Sequence, residues 1–211
     1  DEKFLSHYYL HGDASLSSSI HKAGFSEKDI TDKFLTHLHF DHCGGGVKMI
    51  DGKPVLTFSN AKYWSNKDHW EWATKPNNRE KASFLRENIL PMQESGHLNF
   101  IEVGNSIAIG STFKQFDLLF VSGHTDKMMI PKIKYKNKII CYMADLLPSV
   151  GHIPLAYVMG YDTRPLITLA EKEQFLNEAA DNQYILFFPT VLQYHYSLQI
   201  YSKILHYLVL L

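Results

Sequence analysis

Residues 36–42 read Thr-His-Leu-His-Phe-Asp-His, which places four potential metal ligands within six positions, directly after an apolar step in the chain. The apolar step predicts a strand over residues 33–36. If the chain stays extended beyond it, His37 and His39 lie on the same side about 6 to 7 Å apart, because side chains alternate along a strand. Two ring nitrogens at that separation can bind one metal ion. The spacing therefore predicts a metal site at the end of this strand.

The glycine run that follows would allow the same loop to form a second metal position. Gly44 to Gly46 supply flexible backbone, and a turn toward them would bring Asp41 and His42 to a position beside the first. Leu38 and Phe40 would then face the opposite way, into the core. Two-metal hydrolases hold their ions about 3.5 to 4 Å apart. One loop could thus serve two neighbouring metals.

The composition restricts the class of protein. The chain has 211 residues, 45% hydrophobic and 20% charged, which is typical of a soluble globular protein with a core, and it contains 12 His. Lys and Arg number 21 against 22 Asp and Glu, so the basic surface that nucleic-acid binding requires is not expected. Apolar runs such as residues 207–211 are far shorter than the roughly 18 residues of a membrane span. We expect neither a nucleic-acid nor a membrane partner.

Cysteine usage leaves the compartment open. Cys43 and Cys141 cannot build a disulfide framework. A reducing compartment and a disulfide-free exported protein both fit, and a cytoplasmic location is the favoured expectation.

Local patterns predict the elements that surround the motif. Polar residues 1–19 predict a loop, and residues 60–93 combine aromatic side chains with helical spacing, which predicts helix. Strands are predicted over residues 98–103, 106–109, 114–121, 128–135, 139–143 and 184–188. Thr168 and Glu171 form a capping-box pattern that predicts a helix through about Asp181. Since no repeat or linker divides the chain, we expect one domain over residues 1–211.

The His-x-His-x-Asp-His motif after an apolar strand resembles that of the metallo-β-lactamase-fold hydrolases. Ser122-Gly123-His124-Thr125 is similar to the Gly-His-Thr segment of that family, and Ala144-Asp145-Leu146 is similar to its bridging aspartate at a strand end. The resemblance covers about residues 20–188. Within the family, residues 64–84, 147–149 and 151–154 look most like a bacterial branch of quorum-quenching lactonases and organophosphate-hydrolysing relatives.

The resemblance implies an α/β fold of four layers, an αββα sandwich of two mixed sheets flanked by helices, with the site at the sheet edges. It implies that one Zn²⁺ is held by His37, His39 and His124, and a second by Asp41, His42 and a bridging Asp145. A metal-bound hydroxide would attack the substrate, with Asp41 as the catalytic residue that orients it. Histidine in place of the glutamate of iron-binding members favours zinc.

Both ends of the chain depart from the family pattern. Only 36 residues precede His37, so the opening strands of the family are expected to be missing. The family places its last metal-binding histidine after a late strand, whereas residues 184–188 run into Pro189-Thr190-Val191, and His195 is the nearest substitute. Beyond residue 181 the only charged residue is Lys203. We expect an atypical tail over residues 189–211, and two zinc ions if the second site is complete, otherwise one.

These features together predict a zinc-dependent hydrolase that opens a lactone or cleaves an ester, with an acyl-homoserine lactone as the favoured small-molecule partner. Aryl esters and organophosphate triesters are the nearest alternative, and a truncated metal-binding domain without turnover is another. A nuclease is disfavoured by the net charge of -1. His152 and Trp64 are the predicted substrate contacts, Trp64 within an aromatic run over residues 63–72 that either packs in the core or covers the substrate. A homodimer is an open expectation.

Overall fold

Two sheets and five helices organise the part of the chain that the computed structural model describes, namely residues 6–8, 12, 15–103 and 116–189 and the backbone of 197–199 and 208–209. The helices are α1 (Leu16–Lys22), α2 (Phe40–Cys43), α3 (Lys67–Thr74), α4 (Arg86–Glu94) and α5 (Pro165–Asp181), with 3-10 turns at Glu27–Asp29, Gly44–Gly46 and Val150–His152. The strands are β1 (Asp32–Phe34), β2 (Val47–Ile50), β3 (Lys53–Leu56), β4 (Lys62–Asn66), β5 (Leu98–Ile101), β6 (Phe116–Val121), β7 (Met128–Tyr135), β8 (Lys138–Tyr142), β9 (Ile185–Phe187), β10 (Ser197–Gln199) and β11 (Leu208–Val209).

The strand pairings define one parallel and one mixed sheet. The first sheet has the order β1-β4-β5, and both of its pairings are parallel. The second has the order β11-β10-β9-β8-β7-β6, in which only β8 and β9 run parallel. Strands β2 and β3 form a separate hairpin, whose turn at Asp51-Gly52 has φ of 50° and 75°. Positive φ at both positions is what a two-residue hairpin turn with matching twist requires.

Three apolar clusters show the layer order. Helices α2, α3 and α4 pack on the first sheet through a cluster that includes Tyr63. Helix α5 packs on the second sheet through Phe175 and Ala179. Between the sheets, Ile101 of the first meets Leu118 of the second. The predicted α/β arrangement of two sheets flanked by helices is confirmed, except that the described pairings of the first sheet are all parallel.

Three local predictions were wrong at their boundaries. Residues 16–19 belong to α1 rather than to a loop, because the Ser15 hydroxyl accepts from the Ser18 amide and caps the helix. Residues 62–66 are the strand β4 instead of helix, with alternate side chains packed on opposite faces of a sheet between two layers. Residues 75–85 are also not helical, since turns and loop separate α3 from α4. Helix α5 starts at Pro165 rather than near Thr168, since proline suits the first helical turn.

The remaining strand predictions are confirmed within one to three residues at their ends, with β1 ending at Phe34 rather than at residue 36. The predicted strand over residues 106–109 lies outside the described residues. Among the residues described, no helix is long and apolar enough to cross a bilayer.

Candidate metal centre

The metal-motif loop leaves the first sheet at the end of β1 and reaches the second. Leu38 is fully buried, and the Met129 amide of β7 donates to the Thr36 carbonyl at 2.9 Å. The chain stays extended to His39, where φ is -63° and ψ is 147°, and then coils into α2. Leu38 thus faces the core as predicted. Phe40 does not, because the start of α2 turns its side chain into a cavity.

Three histidines converge at this edge of the sheets and are called the histidine cluster: His37, His39 and His124. One ring nitrogen of each lies within 4.8 Å of the others, and Nε2 of His124 is 3.1 Å from Nδ1 of His39. Their exposed fractions are 0%, 6% and 3%. The sequence-predicted ligands of the first metal are therefore brought together in a buried position.

Asp41, His42 and Asp145 form the adjacent carboxylate cluster. Asp145 Oδ1 lies 3.2 Å from Nε2 of His42, and its Oδ2 lies 3.2 Å from Nε2 of His124, so this side chain stands between the two clusters. Burial disfavours charge on both His42 and Asp145, yet their contact raises the pKa of His42 and lowers the pKa of Asp145. Asp41 is set apart: its side chain is 56% exposed, with Oδ2 3.5 Å from Nε2 of His42.

Each histidine of the cluster has a polar neighbour at its remaining ring nitrogen. These neighbours are Thr36 Oγ1 at 3.2 Å from His37 Nδ1, Glu80 Oε1 at 3.5 Å from His39 Nε2, and Asp162 Oδ1 at 3.1 Å from His124 Nδ1. Such partners fix the orientation of ligand rings. Burial would raise the pKa of Glu80, but hydrogen bonds lower it to about 2, and Trp72 and Asn77 donate to the same carboxylate at 2.7 and 2.6 Å. Glu80 and Asp162 were not identified from the sequence.

His69 connects the two loops that carry the histidine cluster. The Leu38 amide donates to its Nε2 at 2.9 Å, so its Nδ1 carries the proton and donates to the Asp126 carbonyl at 2.5 Å. The ring is fully buried, and burial lowers its pKa to about 4. Sequence reasoning placed His69 only in the aromatic run. Its position at the start of α3, three residues after the capping Asn66, gave no signal of this contact.

The donor atoms fit a divalent transition metal such as zinc. Nε2 of His37 is buried and has no hydrogen-bond partner among the described residues, which is costly unless another group takes that position. Burial and the neighbouring imidazoles hold the pKa of His37 well below its ordinary value. A neutral imidazole is the form that binds metal. Nitrogen and carboxylate donors in this number are typical zinc ligands.

A cavity of about 690 Å³ opens above both clusters. Five members of the two clusters line it: His39, Asp41, His42, His124 and Asp145. The other lining residues are mostly apolar: Tyr8, Phe40, Ala82, Pro148, Met159, Gly160 and Tyr161, with the polar Arg79, Glu80 and Ser83. A smaller space of about 380 Å³ borders Asp41 and His42 on the side of Pro189. The larger cavity has the size and mixed lining of a small-molecule site.

The two predicted substrate contacts lie outside the lining of this cavity. Trp64 packs between the sheets, and its Nε1 donates to Asp32 Oδ1 at 2.8 Å. The ring of His152 is half-buried, with Nδ1 2.9 Å from Ser149 Oγ. Tyr63 and Trp70 belong to the core, so the aromatic run packs inside rather than covering a substrate. His195 lies outside the described residues.

Comparisons with known proteins agree with this architecture. The profile described as the metallo-beta-lactamase superfamily matches residues 10–190. A probable metal-dependent hydrolase from Staphylococcus aureus superposes with a TM-score of 0.82 at 23% identity, covering 99% of this chain and 73% of that one. AidC, described as a dizinc quorum-quenching lactonase, gives 0.70 at 26% identity, with 92% and 68% covered. The hydrolase AbOPH gives 0.74 at 22% identity, with 95% and 70% covered.

No curated protein matched the sequence. The sheets flanked by helices, with histidines and aspartates converging at their edge, define a metal-binding α/β protein of the hydrolase type. The chain belongs to the metallo-beta-lactamase superfamily, since the match extends over most of its length.

Proposed function

We propose that this protein is a zinc-dependent hydrolase that opens small lactones, with an acyl-homoserine lactone as its substrate class, or cleaves related esters. One observation carries the proposal: Asp145 contacts His42 and His124 and lines a cavity whose remaining lining residues are largely apolar. The polar residues suit an ester group, and the apolar residues suit an acyl chain. The likeness to AidC, described as a dizinc quorum-quenching lactonase, supports the same reaction.

Zinc ions at the two clusters would supply Lewis-acid assistance and lower the pKa of water at the site to about 7. The histidine cluster with Asp145 would hold one ion, and His42, Asp41 and Asp145 would hold the other. Glu80 and Asp162 keep the ligand rings in place during the reaction.

The remaining groups of the site handle the substrate and the proton. The half-exposed carboxylate of Asp41 faces the cavity, so its Oδ2 is placed to orient the attacking water and to accept its proton. Phe40 and Met159 offer apolar surface for an acyl chain, and they keep water away from the ester. Opening the ring leaves a carboxylate and a hydroxyl on one product molecule.

The test is a hydrolysis assay of the zinc-loaded protein with three probes: N-hexanoyl-homoserine lactone, an aryl ester and a phosphotriester. We expect the lactone to react fastest. His39→Ala should lower its kcat/KM by more than about 100-fold, because losing even an outer partner of a ligand costs about 10- to 100-fold. His21→Ala, at an exposed site on α1, is the matched control and should keep the full rate.

Other results would change the assignment. A faster phosphotriester or aryl-ester reaction would replace lactones as the substrate class. Equal rates in the protein and in His39→Ala would exclude metal-dependent catalysis at this centre. A protein that binds zinc and turns over none of the three probes would favour a metal-binding chain without turnover.

A further inference from the structure

Lys172 is a charged side chain buried in the middle of α5. It has 0% exposure, and its Nζ donates three hydrogen bonds, to the carbonyl oxygens of His152, Pro154 and Tyr157 at 2.7, 2.8 and 2.8 Å. Burying an ammonium group is unfavourable unless its donors are satisfied. All three donors are used here, and all three acceptors belong to one loop. The side chain therefore holds that loop against α5.

The loop held by Lys172 connects two residues of the metal centre. It begins after Asp145 and ends at Asp162, which contacts His124. It contributes Pro148, Met159, Gly160 and Tyr161 to the cavity wall. The Asp162 carboxylate is 1% exposed, with Oδ1 3.1 Å from Nδ1 of His124. Its Oδ2 has no hydrogen-bond partner among the described residues. The carboxylate is thus kept in place by the position of the loop. Lys172 holds the first part of this loop, and Arg79 holds its end, since its Nη2 donates to the carbonyl oxygens of Gly160 and Asp162 at 2.7 and 3.0 Å.

We propose that Lys172 is a positioning residue of the metal centre: it fixes the loop that presents Asp162, and Asp162 orients His124. Lys172 lies 48 positions after His124 in the sequence and touches no ligand. Its removal would leave three carbonyl oxygens without their donor, so the loop would shift and the contact between Asp162 and His124 would loosen. The proposal builds on the metal centre of the proposed function, but it makes no assumption about the substrate.

A second lysine that contacts α5 serves as a control. It separates a positioning role of Lys172 from a general effect on the stability of the fold. Lys132 of β7 also binds α5, through Glu178 at 3.0 Å, and it pairs with Asp117 at 3.3 Å. It has no contact with the loop. Lys172→Met and Lys132→Met both remove a lysine that joins α5 to the rest of the protein, whereas only the first frees the loop.

The measurements are zinc affinity, by competition with a chromophoric chelator, and amide hydrogen exchange, both on the folded full chain. Lys172→Met should bind its tightest zinc about three- to tenfold more weakly, less than the roughly 10- to 100-fold expected for direct loss of a ligand's partner. Residues 152–162 should exchange faster. Lys132→Met should change neither quantity. Unchanged affinity in Lys172→Met, or equal weakening in both variants, would overturn the proposal.

A double-mutant cycle tests the route through Asp162. If Lys172 acts through that carboxylate, Asp162→Ala combined with Lys172→Met should bind zinc no more weakly than Asp162→Ala alone. Additive losses would refute the route. If Lys172→Met does not fold, Lys172→Gln, which retains an amide donor, replaces it in every arm. A chain that passes these tests but hydrolyses no probe would refute the proposed function and leave this inference standing.

Discussion

The histidine cluster and the carboxylate cluster are neighbours, but the protein holds them with unequal firmness. The side chains of the three histidines are at most 8% exposed. Each has a polar neighbour at its second ring nitrogen, and His69 joins the loops that carry them. In the second, Asp41 is 56% exposed and sits with His42 on the single turn of α2. Only Asp145 and His42 are well covered there, at 13% and 12%.

This difference bears on how each cluster would bind metal. Ligands that are already oriented lose less conformational freedom when an ion arrives, so they bind more tightly. We therefore expect a tightly held ion at the histidine cluster and a more readily exchanged one at the carboxylate cluster. Asp145 contacts both clusters, and its substitution would affect both ions.

The largest expected effect comes from removing one ligand of each cluster in turn. His37→Ala should lose the tightly held zinc, and its hydrolysis should fall by more than about 100-fold. Asp41→Ala should keep that zinc and lose only the exchangeable one. The check is zinc content by mass spectrometry after gel filtration, with and without prior chelator treatment. Equal zinc retention in the two variants would show that the clusters do not differ.

A smaller effect is expected from His69→Leu, which removes the tie between the loops of the histidine cluster. The Leu38 amide and the Asp126 carbonyl would stay buried without a partner. Each such group costs about 1 to 3 kcal/mol, so the free energy of unfolding should fall by about 2 to 6 kcal/mol. Zinc binding at the histidine cluster should weaken as well. Chemical denaturation and chelator competition measure the two effects.

His97→Leu is the control for that substitution. His97 is half-buried, less covered than His69, and its ring has a contact to backbone, with Nδ1 2.8 Å from the Ala61 carbonyl. It should lose stability without a change in zinc affinity. If the affinity changes equally in both variants, general loosening of the fold explains the result, and His69 has no special role at the centre.

The candidate ligands and the residues that support them differ in how far the sequence predicts them. The ligands could be identified because five of the six are histidine or aspartate in two short recognisable segments, residues 37–42 and 122–125, and the sixth follows a predicted strand. Their supporting residues could not. Glu80 and Asp162 are single charged residues in segments without a pattern, and only the packing of the loops brings them to the centre. Lys172 lies in a predicted helix, but that pattern does not indicate the three carbonyl oxygens that its Nζ contacts.

The prediction of secondary structure has the same limit, because local patterns do not reveal long-range contacts. Apolar alternation identified β6, β7 and β8, which are long enough for the pattern to be clear. The pattern predicts helix where the structure has strand β4. The aromatic residues of β4 face two different cores, so neither face is polar and no alternation is visible. Glu171 looked like part of a helix cap, but its carboxylate accepts from the amides of Ser122 and Gly123 at 2.7 and 2.9 Å. Such long-range acceptors leave no local signal.

The smallest expected effect concerns Lys33, which contacts α2, the helix that carries Asp41 and His42. Its Nζ donates to the carbonyl of Cys43, the last residue of α2, at 3.1 Å. Burial lowers the pKa of Lys33 to about 8, well under the ordinary lysine value of about 10.4. The folded state thus disfavours the charged form, and the penalty is present below pH 8 and disappears as the pH rises toward 10.4.

Stability measured by urea unfolding from pH 7 to 10 should therefore rise by about 1 to 2 kcal/mol relative to Lys33→Met. Lys33 and Cys43 influence each other's pKa, so the difference between the two proteins reports this pair. Lys28→Met, at an exposed site, should follow the unsubstituted protein at every pH. A difference between the protein and Lys33→Met that stays constant with pH would mean that Lys33 keeps its ordinary pKa, and it would contradict this prediction.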